Sequence, residues 1–108
     1  MNKFVEYLRM IITNEINSAI IDNAHGINNR NIDDHLITPV LNTYIDSMND
    51  NLKHEFWTVL EESPYDKSGY TIFFDPNIKK FGLGARDPSD KLISLGIYGS
   101  FIEALTGM

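Results

Sequence analysis

Two periodicities divide the chain. From Asn2 to about Asn23 the apolar residues Phe4, Leu8, Ile11, Ile12, Ile16, Ala19 and Ile20 recur at steps of three or four. That spacing gathers side chains on one stripe of a helix. Lys3, Glu6, Arg9, Asn14 and Asn17 fall mostly away from it. The pattern predicts a long amphipathic helix whose stripe faces the core, because its polar face lacks the Lys/Arg enrichment of a membrane-surface helix. Gly26 suits a helix C-cap, and Asn28, Asn29 and Asn31 favour turns through side-chain to backbone hydrogen bonds. With Asp33 or Asp34 as N-cap, Leu36, Val40, Leu41, Tyr44, Ile45 and Met48 predict a second helix from about Leu36 to Asn49. Pro39 fits only if it lies in the first turn, which moves the start towards Thr38.

Beyond residue 55 the period changes to two. Phe56–Glu62, Gly69–Asp75, Lys80–Ala85 and Lys91–Ile97 read as strands separated by turn-rich segments, notably Asp75-Pro76-Asn77 and Asp87-Pro88-Ser89-Asp90. Alternation places Tyr70, Ile72, Phe74, Phe81, Leu83, Ile93, Leu95 and Ile97 on one apolar face, expected to pack on the long helix. The other face carries Thr71, Phe73, Gly82, Gly84 and Ser94, with Phe73 or Trp57 expected to cover the two glycines. The predicted fold is a single α+β domain of N-terminal helices on a four-stranded antiparallel meander. Residues 1–54 are mainly helical, 55–97 form the sheet and 98–108 a short closing helix.

Composition supports a folded core, since 43% of residues are hydrophobic. The net charge is −6 and no cysteine is present, which excludes disulfides and fits a reducing, cytoplasmic setting. Acids outnumber bases by three in each half, so the negative charge is spread along the chain. Such a balance disfavours direct nucleic-acid binding and suits a basic protein partner. Residues 1–23 lack a signal-peptide layout, and no apolar run approaches the roughly 20 residues of a membrane span.

Candidate chemistry is sparse. His25, Asp33, Asp34 and His35 have the residue types of a zinc site but no established ligand spacing, so a polar loop with capping aspartates is expected there. Glu61 and Glu62 are adjacent, which on a regular strand sends them to opposite faces. Neither Gly82-Leu83-Gly84 nor Gly96–Gly99 completes a nucleotide-binding loop. The residues predict neither catalytic site, metal nor cofactor.

The C-terminal half carries a cadence of aromatics and glycines: Trp57-Thr58-Val59-Leu60-Glu61-Glu62, Gly69-Tyr70-Thr71-Ile72-Phe73-Phe74-Asp75, Phe81-Gly82-Leu83-Gly84 and Leu95-Gly96-Ile97-Tyr98-Gly99-Ser100-Phe101. Over residues 55–108 this resembles small bacterial immunity proteins of polymorphic toxin systems, of the contact-dependent growth inhibition type. The resemblance implies a cytoplasmic, non-enzymatic protein that neutralises the C-terminal toxin domain of a cognate effector, often a nuclease. Carboxylates on such an inhibitor can steer it into a cationic groove. Glu61, Glu62, Tyr65 and Asp66, with Asp87 and Asp90 on a neighbouring turn, are the candidate partner contacts. The alternative is a small-molecule-binding or regulatory domain with Trp57, Tyr70 and Phe73 lining a pocket. A metal-assisted enzyme built on His25, His35 and the aspartates is a third reading.

Overall fold

The computed structural model describes residues 2–108. Among them are two α-helices, α1 (Lys3–Asn17) and α2 (Phe101–Thr106), and five strands. The strands are β1 (Leu36–Asp46), β2 (Lys53–Ser63), β3 (Ser68–Asp75), β4 (Lys80–Arg86) and β5 (Leu92–Gly99). The class is α+β as expected, with one N-terminal helix instead of two and five strands instead of four.

The strands close into a barrel in sequence order. Successive strands pair antiparallel, so in an odd-numbered meander the first and last must run the same way. The β1–β5 seam is accordingly parallel, and it is short: Tyr44 pairs with Leu92, Ile45 with Ile93 and Asp46 with Ser94.

The expected second helix is strand β1. Its sequence, Leu36-Ile37-Thr38-Pro39-Val40-Leu41-Asn42-Thr43-Tyr44-Ile45-Asp46, is dense in β-branched residues, which pack well on a pleated surface. Pro39 falls where the β1–β2 register slips between Leu36 and Val40, a position that needs no ladder donor. Of the supposed helical stripe only Tyr44 is enclosed, while Val40 and Leu41 are each 45% exposed and Met48 92%.

Helix α1 starts at Asn2, whose side chain accepts from the N–H groups of Phe4 (2.9 Å) and Val5 (3.3 Å). It stops at Asn17, six residues before the expected Asn23, because Asn29 captures the following backbone. The N–H of Ile21 donates to Asn29 Oδ1 at 2.7 Å, and Asn29 Nδ2 donates to the Ala19 carbonyl at 3.2 Å. Ile21 thereby enters the core and Ile20 is left 89% exposed. Gly26 is not a helix cap. With His25 it supplies the two positive φ angles, 84° and 53°, of a tight turn closed between Ala24 and Ile27.

The sheet buries both of its faces. Ile72, Phe74 and Phe81 lie with Leu8, Ile12, Phe101 and Leu105 beneath the helices. Inside the barrel a second cluster joins Tyr44, Phe56, Phe73 and Leu92. Phe56 and Phe73 stack at 4.3 Å and 6°, and Tyr44 lies 4.8 Å from Phe73. Phe73 does cover Gly82, but Gly84 faces the Tyr44 ring. Trp57 lies elsewhere, 5.0 Å from Phe4. Leu95 and Ile97, expected under the helix, are half-exposed. Helix α2 has a capping box of Ser100 and Glu103, and Glu15 of α1 accepts from the N–H groups of Phe101 and Ile102 at 3.3 and 3.1 Å.

Candidate functional site

The up-and-down order places the β2–β3 and β4–β5 hairpins at one end of the barrel. Asp66 and Gly69 of the first and Arg86, Asp87 and Asp90 of the second line one shallow depression of about 410 Å³. Of the six candidate residues, Asp66, Asp87 and Asp90 therefore share a surface. Tyr65, at the tip of the first hairpin, is fully exposed.

Asp66 and Asp87 owe their order to their own turns. Asp66 accepts from the Ser68 hydroxyl (2.8 Å) and its N–H (3.1 Å). Asp87 accepts from the Ser89 hydroxyl (2.7 Å) and from the N–H groups of Lys91 and Ser89, each at 2.9 Å. Those hydrogen bonds, the serine hydroxyl first in each case, hold both carboxyls below the usual range. Both hairpins thus present fixed anions.

Glu61 is enclosed by the fold, and Glu62 is half-buried and tied to its neighbours. The β2–β3 register slips between Thr58 and Leu60, so Val59 is an extra residue and the alternation inverts after it. Leu60 then joins Val59 beneath the helices. Glu61 pairs with Thr71 and turns towards the barrel interior, its side chain 5% exposed. It meets Arg86 Nη2 at 3.3 Å and, more distantly, Lys67 Nζ at 3.9 Å. Glu62 accepts from the Tyr70 N–H at 3.0 Å and contacts His25 Nδ1 at 3.1 Å. As a partner contact Glu61 is corrected to an internal support of the hairpin, whereas the Glu62 side chain stays 23% exposed beside it.

Two features escaped the sequence reading. One is Arg86, which follows Gly82 and Gly84 on the inward face of β4 and sits over the barrel end. The other is a buried polar chain. Thr58 Oγ1 donates to Asn42 Oδ1 at 2.7 Å, which leaves Tyr44 to donate to Thr58 (2.6 Å) and Thr71 to donate to Tyr44 (3.1 Å). Burial raises the Tyr44 pKa above its usual value, against the lowering effect of the two threonine contacts.

The other candidate groupings do not converge. His35 Nδ1 lies 2.8 Å from the Glu62 carbonyl, and His25 engages the Glu62 carboxylate. Among the described residues no three His, Asp or Glu side chains are placed to hold a metal ion. Trp57 packs on Phe4, Tyr70 lies edge-on to His25 and Phe73 is enclosed in the barrel, so these three rings share no cavity.

The protein is a five-stranded closed barrel with helices packed outside it and acidic hairpin turns at one end. Compared with protein-family models, curated proteins and solved structures, the chain gives no match.

Proposed function

We propose that the chain is a non-enzymatic immunity protein that binds and neutralises the toxin domain of a cognate contact-dependent inhibition effector in the cytoplasm. The observation that carries this reading is Tyr65, a fully exposed aromatic at the tip of the β2–β3 hairpin, whose Asp66 lines one depression with Asp87 and Asp90 of the β4–β5 hairpin. An exposed tyrosine is a low-entropy anchor of the kind that dominates binding energy. The surrounding carboxylates and a net charge of −6 favour encounter with a cationic groove, as on a nuclease. Glu61 and Glu62 act one step back, bracing the turns.

The test is binding and co-expression rescue with the toxin domain encoded beside this gene. Tyr65→Ala should weaken the complex by at least about 2 kcal/mol. Replacing Asp66, Asp87 and Asp90 together by Asn keeps the turn acceptors while removing the charge. It should slow association mainly at low salt. If wild-type chain neither binds that domain nor protects against it, the reading fails. If it binds but neither variant changes affinity by more than about threefold, the hairpin surface is not the interface.

A further inference from the structure

The parallel seam leaves an opening on the barrel wall that shares Arg86 and Asp90 with the hairpin depression but extends to Lys53 on the far side. Because β1 and β5 pair over only three residues, β1 diverges from the β4–β5 turn at Asn42 and Thr43. The resulting depression, of about 340 Å³, is lined by Lys53, Arg86 and Lys91 together with Asn42, Thr43 and Asp90. This acidic chain has nine basic residues, and three of them converge here against a single lining carboxylate. Lys53 and Lys91 make no ion pair among the described residues.

Arg86 is under-used. A guanidinium carries five N–H donors in a rigid fork. Here one reaches Glu61 at 3.3 Å and another reaches Asp90 at 3.4 Å, both longer than a good charge-assisted hydrogen bond. Its buried Nε finds no acceptor among the described residues. Asp90, 75% exposed on a turn with φ 68°, touches the fork from the solvent side. It occupies the place of an incoming anion. The neighbouring acids are engaged by other groups: Glu61 lies behind Arg86, Glu55 accepts from the Thr43 hydroxyl at 2.7 Å, and Asp87, whose carboxylate also feels the Lys91 charge, accepts from the Ser89 hydroxyl and the Lys91 N–H.

We infer that this opening is a binding site for a small oxyanion, the phosphate or carboxylate of a low-molecular-weight ligand. The anion displaces the Asp90 carboxylate from Arg86 and is held by Arg86, Lys53 and Lys91. Phosphate and carboxylate share the geometry that a guanidinium fork recognises.

The experiment titrates the full chain with sodium phosphate, and separately with sodium acetate, at constant ionic strength set by sodium chloride. Backbone amide shifts are followed by NMR. Saturable shifts at Lys53, Arg86, Asp90 and Leu92 are expected. Lys53→Ala and Lys91→Ala should each weaken binding by about two- to fivefold, as for an exposed ion contact. Asp90→Asn, which tolerates the positive φ, should tighten it by a similar factor. A response to phosphate alone assigns the ligand as a phosphate compound, to acetate alone as a carboxylate, and to both as either oxyanion. No saturable shift in either arm, equal affinity in the lysine variants, or no tightening in Asp90→Asn overturns the proposal. Arg86 is left intact because its contact with Glu61 supports the fold.

Discussion

Gly82 and Gly96 lie in adjacent strands of one barrel, and the same substitution should act on them in opposite directions. A Cβ on Gly82 would collide with the Phe73 ring and stand 2.6 Å from the Gly96 carbonyl oxygen. A Cβ on Gly96 would meet nothing within 4 Å. The Phe73 ring has nowhere to go, since it is fully enclosed, stacked on Phe56 and flanked by Tyr44. The carbonyl is backbone, so relief at Gly82 requires moving β5 away from β4. Inserting one methyl into a packed interior costs about 1–3 kcal/mol. With both a locked ring and a backbone atom in the way, Gly82→Ala belongs at about 2–3 kcal/mol. Gly96→Ala should be neutral or stabilising by up to about 1 kcal/mol, through the lowered entropy of the unfolded chain.

Urea unfolding followed by far-UV circular dichroism measures the pair. For a slope of about 1–2 kcal/mol per molar, Gly82→Ala should lower the midpoint by about 1–3 M. Gly96→Ala should leave it unchanged or raise it. Phe73→Leu in the Gly82→Ala background should cost less than the sum of the two single changes, because it frees part of the space the methyl needs. A Gly82→Ala variant within about 0.5 kcal/mol of wild type would refute the filled-barrel argument. So would equal losses at the two glycines.

Two further variants test polar contacts inside the fold. Tyr44→Phe removes the hydroxyl that joins Thr71 to Thr58, and should cost about 1–2 kcal/mol in the same assay. Burial raises the folded pKa of Tyr44 above the ordinary 10.0, so the folded chain binds more protons than the unfolded one between those two values. Its contribution to stability is therefore complete below pH 10 and is lost as pH rises through the folded value. The variant should show a shallower alkaline loss than wild type in parallel melts. Glu15→Ala uncaps the N–H groups of Phe101 and Ile102, and should cost about 1 kcal/mol and lower hydrogen-exchange protection at those two amides.

The four C-terminal strands were legible because turn chemistry bracketed them: Asp75 ends β3 and Pro76-Asn77 opens its turn, and Asp87-Pro88-Ser89-Asp90 lies between β4 and β5. The alternation of Ile72 and Phe74 against Thr71 and Phe73 was also readable, and it separates the helix side from the barrel interior. Strand β1 was not. Leu36, Val40, Leu41, Tyr44 and Ile45 satisfy steps of three and four, and a strand in a small barrel needs few enclosed residues to hold its place. What decides the element is its β-branched content and the proline in its middle, a weaker signal than periodicity. The candidate site was legible to the same extent. Asp66 and Asp87 are turn residues whose role is local, whereas Glu61 depends on a bulge at Val59 that has no sequence mark. Inverting the alternation there sent a presumed surface acid inside.

Closure of the barrel also explains why the two candidate surfaces meet. An odd meander must seal with a parallel pair, whose partners belong to opposite ends of the sheet and have no hairpin to set their register. Only three pairs form, and the wall stays open beside the β4–β5 turn. An opening at a barrel end admits water to the interior unless a side chain covers it. The long Arg86 side chain does this, and Glu61, turned inward by the bulge, supplies the countercharge that makes its burial tolerable. The Arg86 side chain stays 14% exposed, with Asp90 as its outer partner. Asp90 lines both the hairpin depression and the seam opening. Arg86, which closes the barrel, lines both as well, so the two surfaces touch through this one ion pair.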